Sequence, residues 1–484
     1  MLVSPRSRFA MAAVSVTALL SACAPNLGPA SRLSTAADYA SAKSLAAPSA
    51  DWPSDTWWTA YNDPQLTHLI EQALSGSPDL REAQARVREA EAQAEQARSP
   101  LLPQPSANGS AAPTRGSKNL GFPPQFKGFL PGGFHTNTRV TADLSWQLDF
   151  FGRNRAALAA ATSQAEAARA DASSARLQIA TAVAGAYAQL LQLSADRDAA
   201  AEALKVRRET LELVGQRLRN GLETRGEFSQ QKATVPVAQG DLDRLDLQIL
   251  QTRHQLAVLL GKGPDAGLEI ARPSNPNLKP LGLPENLAAD LIGRRPDITA
   301  ARLRAQAAAK REQGAKLDFY PNISLTGYVG QQSLDIGDIF KRDSNIGSFG
   351  PAIHLPNFIG GPQLRGAYRG ARAEYEAAVA EYDKALANAL KEVADAIAAK
   401  QSLTIQIADA RTALTSSEDA YAVARERYQG GLSPYLSVLT AENAVLQQRR
   451  AVADLEAQAL SLDVSLVRAL GGGFQAQDLK LSTR

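Results

Sequence analysis

The sequence predicts a mainly α-helical chain with a small β part, internally duplicated, with two strands in each copy. Three observations carry this. First, Pro78, Asp79, Pro103 and Gly109 recur as Pro296, Asp297, Pro321 and Gly327 at a shift of 218 residues. Further on, "RLRNGL" at Arg217 recurs as "RYQGGL" at Arg427, and "LGKG" at Leu260 as "LGGG" at Leu470, both shifted by 210. Second, Ala-rich runs free of helix breakers are far longer than a globular domain needs. Third, "RVTADLSWQLDF", Arg139 to Phe150, alternates Val140, Ala142, Leu144, Trp146, Leu148 and Phe150 with polar residues, the period of a strand with one apolar face.

The chain opens with Arg6 and Arg8, an apolar run from Phe9 to Leu20, and "LSAC", which together read as an export signal over residues 1–22. The run is too short to span a bilayer permanently. "LSAC" resembles the lipobox of bacterial lipoproteins, and Cys23, the single cysteine of the chain, falls where a lipobox requires it. That resemblance implies a covalent diacylglycerol on the Cys23 sulfur and an N-acyl chain on the new N-terminus. Ala24 after it, where an aspartate would signal otherwise, implies the outer membrane. Residues 23–56, rich in Ala, Ser and Pro, read as a lipidated tether, with structure starting near Trp57.

The first repeat is expected over 57–262, a linker over 263–283, the second repeat over 284–473 and a flexible tail over 474–484. Each copy reads as a helix (Pro78 to about Ser99; Pro296 to about Leu317), two strands ("RVTADLSWQLDF" with a poor partner near Ser106 to Thr114; "PNISLTGYVG" with a weaker one near Phe349, Ile353 and Leu355), a very long helix, a tight turn and another long helix. The fall in shift from 218 to 210 gives the first copy about eight extra residues, placed in a Pro/Gly-rich loop from Ala111 to Gly133. The long helix after Arg153 runs to about Arg219, about 100 Å at 1.5 Å per residue. Leu158, Ala161, Ala165, Ala168, Ala172, Ala175, Ile179, Ala182 and Ala186 follow the three-four spacing of a coiled-coil seam. Asn220 with Gly221, and Gly430 with Gly431, suit left-handed helix ends. Thr224 with Glu227 fits a capping box, and Ser433 with Pro434 an N-cap followed by a first-turn proline.

Composition excludes more than it selects. Lys+Arg number 52 against 49 Asp+Glu, and loss of Arg6 and Arg8 with the leader leaves a net charge of +1, so no nucleic-acid partner is implied. His68, His135, His254 and His354 lie far apart, with no Cys or carboxylate at metal-ligand spacing. No catalytic constellation can be assembled, which argues against an enzyme and for no cofactor beyond the lipid on Cys23.

Four strands cannot close a barrel, and open edges cannot lie in lipid, so strands that enter a membrane must be shared between chains. Two chains give eight strands, whose interior fills with side chains; three give twelve, with room for a channel. A trimer follows, with the apolar face of "RVTADLSWQLDF" on lipid and the Arg/Asp/Ser/Gln face on water. The same strand, taken alone, also suits the cover of a soluble core. The lipobox and the lack of any transmembrane helix after the leader favour the membrane.

The runs "WWTAYNDPQLTHLIEQAL" at Trp57, "LDFFGRNR" at Leu148, "RRPDI" at Arg294 and "FYPNISLTGYVG" at Phe319, with the paired "GL" turns, closely resemble the outer-membrane efflux lipoproteins of the OprM and NodT type, relatives of TolC. The likeness covers almost the whole mature chain in order. It implies a homotrimer with a twelve-stranded outer-membrane β-barrel, four strands per chain, continuous with a long periplasmic α-helical barrel. It further implies the exit duct of a tripartite efflux pump, passive toward its cargo, joined through a periplasmic adaptor to an inner-membrane transporter. Two departures are "SPDL" at Ser77, where relatives carry Asn-Pro-Asp-Leu, and "GGPQ" at Gly360, in place of a basic Gly-Gly-Arg. The alternative is a lipid-anchored periplasmic adaptor, also rich in long hairpins, but adaptors carry one hairpin between β domains and no duplication. The sequence does not reveal the cargo.

Two sets of site residues follow. Gly221, Leu222, Gly431, Leu432 and Ser433 form the hairpin tips, where the leucines either dock the adaptor or tuck back onto a neighbouring helix. Glu227 and Tyr428 occupy the places where the resemblance implies a periplasmic gate held by polar links, a phenol donating to a carboxylate; the competing role of Glu227 is its capping box. Arg217, Arg219, Arg425 and Arg427 either join such links or complement helix C-termini. Ser437 and Thr440 stand where some relatives place carboxylates, so no acidic selectivity ring is expected.

Overall fold

The computed structural model describes residues 24–46, 48–115, 117, 123, 133–273, 284, 287–355 and 361–477. Cys23 and the leader therefore lie outside the described residues, as do residues 478–484 of the tail and residues 274–283 of the segment between the repeats. The chain forms α1 (Pro64–Gly76), α2 (Pro78–Arg98), β1 (Gln104–Thr114), β2 (His135–Gln147), α3 (Arg153–Arg219), α4 (Arg225–Leu259) and a single turn α5 (Asp265–Leu268). The second copy supplies α6 (Leu287–Arg294), α7 (Pro296–Leu317), β3 (Asn322–Ser333), β4 (Asn345–His354), α8 (Gly361–Gln429) and α9 (Tyr435–Ala469). The order within the two copies is the same. α4 and α9 each hold 35 residues and sit 210 positions apart, so the duplication is kept to the residue in this part of the chain.

Two compact units form, and they cut across the repeats: each takes segments from both copies. One unit, built from residues up to Arg32, Arg88–Ala167 and Arg302–Glu381, carries one antiparallel sheet in the order β1-β2-β3-β4. Register puts Leu144 beside Gly327 and Gly327 beside Phe349, while Ala142 faces Val329 and Trp146 faces Leu325. One face of the sheet is thereby apolar across all four strands, and Val140, Leu144, Trp146, Val329, Phe349 and Ile353 are exposed on it. β1 adds small residues to the same face, since Pro105, Ala107 and Gly109 stand opposite Leu144, Ala142 and Val140. The other face is polar and internally bonded: Asp143 accepts from Asn108 Nδ2 and from the Thr141 hydroxyl, both at 2.9 Å. Arg139 stacks over the Tyr328 ring at 4.9 Å.

Several boundaries differ from the sequence reading. β2 stops at Gln147, three residues before the alternation does, because Asp149 caps α3, accepting from the Asn154 and Arg155 backbone N–H groups at 3.0 and 2.9 Å. Ala111 to Thr114, claimed in the sequence both by the weak strand near Ser106 to Thr114 and by the loop, belong to the strand, paired with Thr138 to His135. Pro113, which has no N–H to donate, sits opposite Thr136 one residue from the end of β1. The coiled-coil seam is partial within the chain: Ala165, Ile179 and Ala186 are buried, but Ala182 is exposed and Ala156, Ala160, Ala167 and Ala170 are buried instead.

The second unit (Leu33–Val87, Ala168–Ala301, Tyr382–Arg484) holds the cores. One gathers Trp57, Trp58, Tyr61, Leu66, Ile70, Tyr187, Leu190, Leu256 and Leu460. It is pinned by Asp63, which caps α1 at the Gln65 and Leu66 N–H groups and accepts from the Tyr187 hydroxyl at 2.6 Å. A second gathers Leu291, Ile298, Leu386, Val393, Ile397 and Leu466. Leu33, Tyr39, Leu45 and Trp52 pack against it, and the Ser34 N–H donates to Asp383. Residues 33–56 are thus a packed strap, not a bare tether: apolar anchors every six or seven residues bind a segment whose bulk composition reads as loop. The start of the expected linker is likewise packed, with Ile270 in the first core and the Ala271 backbone exchanging two hydrogen bonds with Gln65.

Candidate functional site at the hairpin tips

Both long helices end in the same motif. Leu222 N–H donates to the Arg217 carbonyl at 2.9 Å and Gly221 N–H to Leu218 at 3.0 Å; in the second copy Leu432 donates to Arg427 at 2.8 Å and Gly431 to Tyr428 at 3.0 Å. This paired closure needs a left-handed residue at the second-last position, and Gly221 and Gly431 supply it with φ of 73° and 74°. The leucine that follows cannot turn inward, so Leu222 is 64% exposed and Leu432 74%. Within the chain neither tucks back onto a neighbouring helix.

The two restarts differ. Thr224 opens α4 with a full capping box, its hydroxyl accepting from Glu227 N–H at 3.2 Å while Glu227 Oε2 accepts from Thr224 N–H at 3.0 Å. Those bonds, the backbone one first, hold the Glu227 carboxyl below its ordinary pKa. α9 starts one residue later than Ser433 predicts: Pro434 is its N-cap, and the Ser433 hydroxyl is buried without a partner rather than capping. The repeat explains this, because Pro434 stands 210 residues from Thr224 and takes the same extended backbone.

Between the tips, Tyr428 pairs with a different carboxylate from the one the sequence suggested. Its hydroxyl donates to Glu223 Oε1 at 2.7 Å, whereas Glu227 is committed to its cap. Arg217 completes the node, with Nε 3.2 Å from Glu223 Oε1 and its guanidinium 4.6 Å above the Tyr428 ring. Tyr428 packs edge-on to Tyr435 at 5.4 Å over Val214 and Val438. Burial first, and the Glu223 carboxylate second, push the Tyr428 phenol upward, so it stays a donor at any physiological pH. Glu223 could have been found from the sequence only by noticing that it is the one carboxylate inside the turn, between the exposed leucine and the cap. Among the described residues no group of His, Cys, Asp and Glu could hold a metal ion, and no helix is long and apolar enough to cross a membrane.

The model of the family described as "Outer membrane efflux protein" matches residues 69–262 and 287–472, one segment in each copy. The chain belongs to the outer membrane efflux protein family. The fusaric acid resistance protein FusA of Burkholderia cepacia is 37% identical over 376 residues, covering 76% of this chain and 70% of that protein. The pyoverdine export outer membrane protein OpmQ of Pseudomonas putida is 30% identical over 426 residues, 88% of this chain and 89% of that protein. The crystal structure of the outer membrane protein VceC of Vibrio cholerae matches with a TM-score of 0.82 at 39% identity, covering 88% of this chain and all of that chain. The fold is TolC-like, with the family domain duplicated and four strands per chain. This efflux protein is accordingly an outer-membrane channel of efflux pumps with a periplasmic extension, in a family that is not enzymatic. Channels of this fold form trimers within tripartite pumps. A family match through both copies rules out the adaptor reading.

Proposed function

We propose that this efflux protein is a homotrimeric, lipid-anchored exit duct, passive toward its cargo, which receives small molecules through a periplasmic adaptor from an inner-membrane transporter. The observation that supports this most is the sheet. Its edge strands β1 and β4 each have one neighbour, and its exposed apolar face spans all four strands, so sheets from three chains edge to edge would both satisfy the open backbone groups and give the apolar face lipid to cover it. Cys23, at the end of the export signal, would carry the diacylglycerol and N-acyl chain. Leu222, Leu432 and their glycines, with Ser433 beside them, would dock the adaptor, since an exposed apolar tip on a rigid turn favours a partner. The gate is assigned to the Tyr428–Glu223–Arg217 node, with Glu227 holding the turn that presents it.

Cargo is chosen by the transporter, and the name of FusA makes small organic acids the first class to try. The test is deletion of the gene in a strain that keeps its transporters, followed by susceptibility to fusaric acid and by cross-linking of the restored protein. Sensitisation on deletion, with a trimer on cross-linking and a co-purifying adaptor, is expected. A monomeric protein, or one that captures no adaptor, refutes the duct; unchanged susceptibility to fusaric acid refutes only that cargo.

A further inference from the structure

The periplasmic helices hide a second polar cluster, separate from the tips and built around a carboxyl that accepts no hydrogen bond. Glu442 on α9 is 4% exposed, and neither of its oxygens accepts a hydrogen bond. Its nearest cation, Arg207 of α3, pairs with it only loosely, Nε 3.7 Å from Oε1 and beyond hydrogen-bond distance, and spends its other nitrogens on Asn443 Oδ1 at 3.0 Å and the Thr234 carbonyl at 3.4 Å. Gln231 of α4 is fully buried beside them; its amide nitrogen lies 3.5 Å from the Arg207 carbonyl, and its Oε1 has no partner. These atoms are already sealed within one chain, so neighbouring subunits cannot reach them without unpacking it. A buried carboxylate in this condition costs far more than a buried carboxylic acid.

The cluster also sits on a weak point. Pro236 lies inside α4 and cannot donate to the carbonyl one turn before it, which breaks the helix ladder next to Gln231 and Thr234. Arg207 bridges this break to α9, touching Thr234 and Gln231 on one side and Asn443 and Glu442 on the other. The matching positions in the other copy carry none of this: Leu446 stands for Pro236, Lys232 for Glu442 and Ser417 for Arg207.

We propose that Glu442, Arg207 and Gln231 form a proton-operated latch on the Pro236 hinge. With Glu442 neutral, the tip-proximal part of α4, Arg225 to Gln231, stays packed; when the carboxyl releases its proton to solvent, the carboxylate draws water into the joint, the segment loosens and the closed channel is easier to open. The groups that face the carboxyl are Arg207 from α3, Tyr421 from α8, Tyr435 on its own helix, and from α4 the neutral amide of Gln231; Arg425, Glu209 and Arg449 act on Tyr421 behind them. Burial raises the Glu442 carboxyl, opposed by Arg207, in agreement with the geometry. A raised carboxyl stabilises the packed form fully below the ordinary glutamate range and loses that contribution as the pH climbs to the raised value. Acid should lock the hinge and neutral pH should free it.

This regulation presupposes the channel, but hydrogen exchange at the hinge does not, so the two can fail separately. Exchange would be followed by mass spectrometry on the purified full-length protein from pH 4.5 to 8.0, with rates corrected for intrinsic pH dependence. For amides between Arg225 and Pro236, protection in the wild type should fall by up to about tenfold per pH unit, the limit for release of one proton, and then level off. Glu442→Gln should hold the acid-level protection at every pH. Arg207→Met should move the midpoint upward, and it decides the matter if Glu442→Gln fails to assemble. Asp196→Asn should follow the wild type, although burial and Asp454 push Asp196 up to about 6, making it the competing titration in this bundle. A flat wild-type profile, as expected if a fixed water satisfies Glu442, overturns the proposal. So does an unaltered profile in Glu442→Gln, an unmoved midpoint in Arg207→Met, or a profile abolished by Asp196→Asn.

Discussion

Replacing Tyr428 by Phe separates the two carboxylates at the tip. The ring stays, with its Arg217 and Tyr435 contacts, and only the 2.7 Å bond to Glu223 is lost. A hydrogen bond to a charged acceptor contributes about 1.5–3 kcal/mol, and a buried acceptor left unpaired costs the upper part of that range. Glu223 is 7% exposed, which favours the upper part, but it keeps Arg217 at 3.2 Å, which offsets some of the loss. About 2 kcal/mol is the expected result, or roughly a 30-fold rise in the opening equilibrium of the turn. Exchange of the Gly221 and Leu222 amides reads that equilibrium directly, and the open probability of the trimer in a planar bilayer reads its consequence for the duct. Glu227→Gln, which alters the capping box and leaves the Tyr428–Glu223 bond in place, should leave the open probability unchanged. Equal opening by the two variants, or less than a threefold change in exchange for Tyr428→Phe, refutes the assignment of Tyr428 and Glu223 as a closing contact.

Further expectations can be checked separately. The mature N-terminal peptide should begin at Cys23 and carry the mass of three acyl chains, as read by intact-mass measurement; any other start refutes lipidation there. Leu222→Asp with Leu432→Asp should abolish efflux while leaving the trimer intact, because the change falls on exposed side chains; retained efflux excludes docking at the leucines. Gly471→Ala should cost about 3 kcal/mol or more and sharply reduce trimer yield, since φ is 90° and the new methyl would overlap the Arg294 carbonyl, whereas Gly240→Ala, with open space around it, should be tolerated.

Much of the fold was legible because its signals are local. α3 stops at Arg219 because Asn220 and Gly221 follow it, and α7 spans Pro296 to Leu317 as the proline start implies. The errors arose where a residue serves a neighbour rather than its own pattern. Asp149 continues the strand alternation in the sequence but belongs to the cap of α3, and Ala111 to Thr114 suit strand and loop alike until β2 pairs with them. The strap from Leu33 to Trp52 hides four anchors in a bland composition. The partner of Tyr428 escaped the sequence for a related reason. The choice between Glu223 and Glu227 depends on which carboxylate the distant Tyr428 can reach, 205 positions away in sequence, and no local signal contains that distance.

The two copies agree where the backbone demands it and part where polar chemistry sits. Gly221 and Gly431, Gly261 and Gly471 all hold positive φ at equivalent places, so each copy retains the turns that its helices need. By contrast Tyr428 stands opposite Leu218, Glu223 opposite Ser433, Glu442 opposite Lys232 and Pro236 opposite Leu446. Each polar node draws residues from both copies, Arg217 and Glu223 with Tyr428, Arg207 and Gln231 with Glu442. A duplicated chain built from identical halves would repeat the same donors and acceptors on every hairpin, whereas here each node occurs once. Divergence at these few positions lets one hairpin hold its neighbour, and a contact between hairpins, unlike one within a hairpin, can be broken by moving them apart without unfolding either.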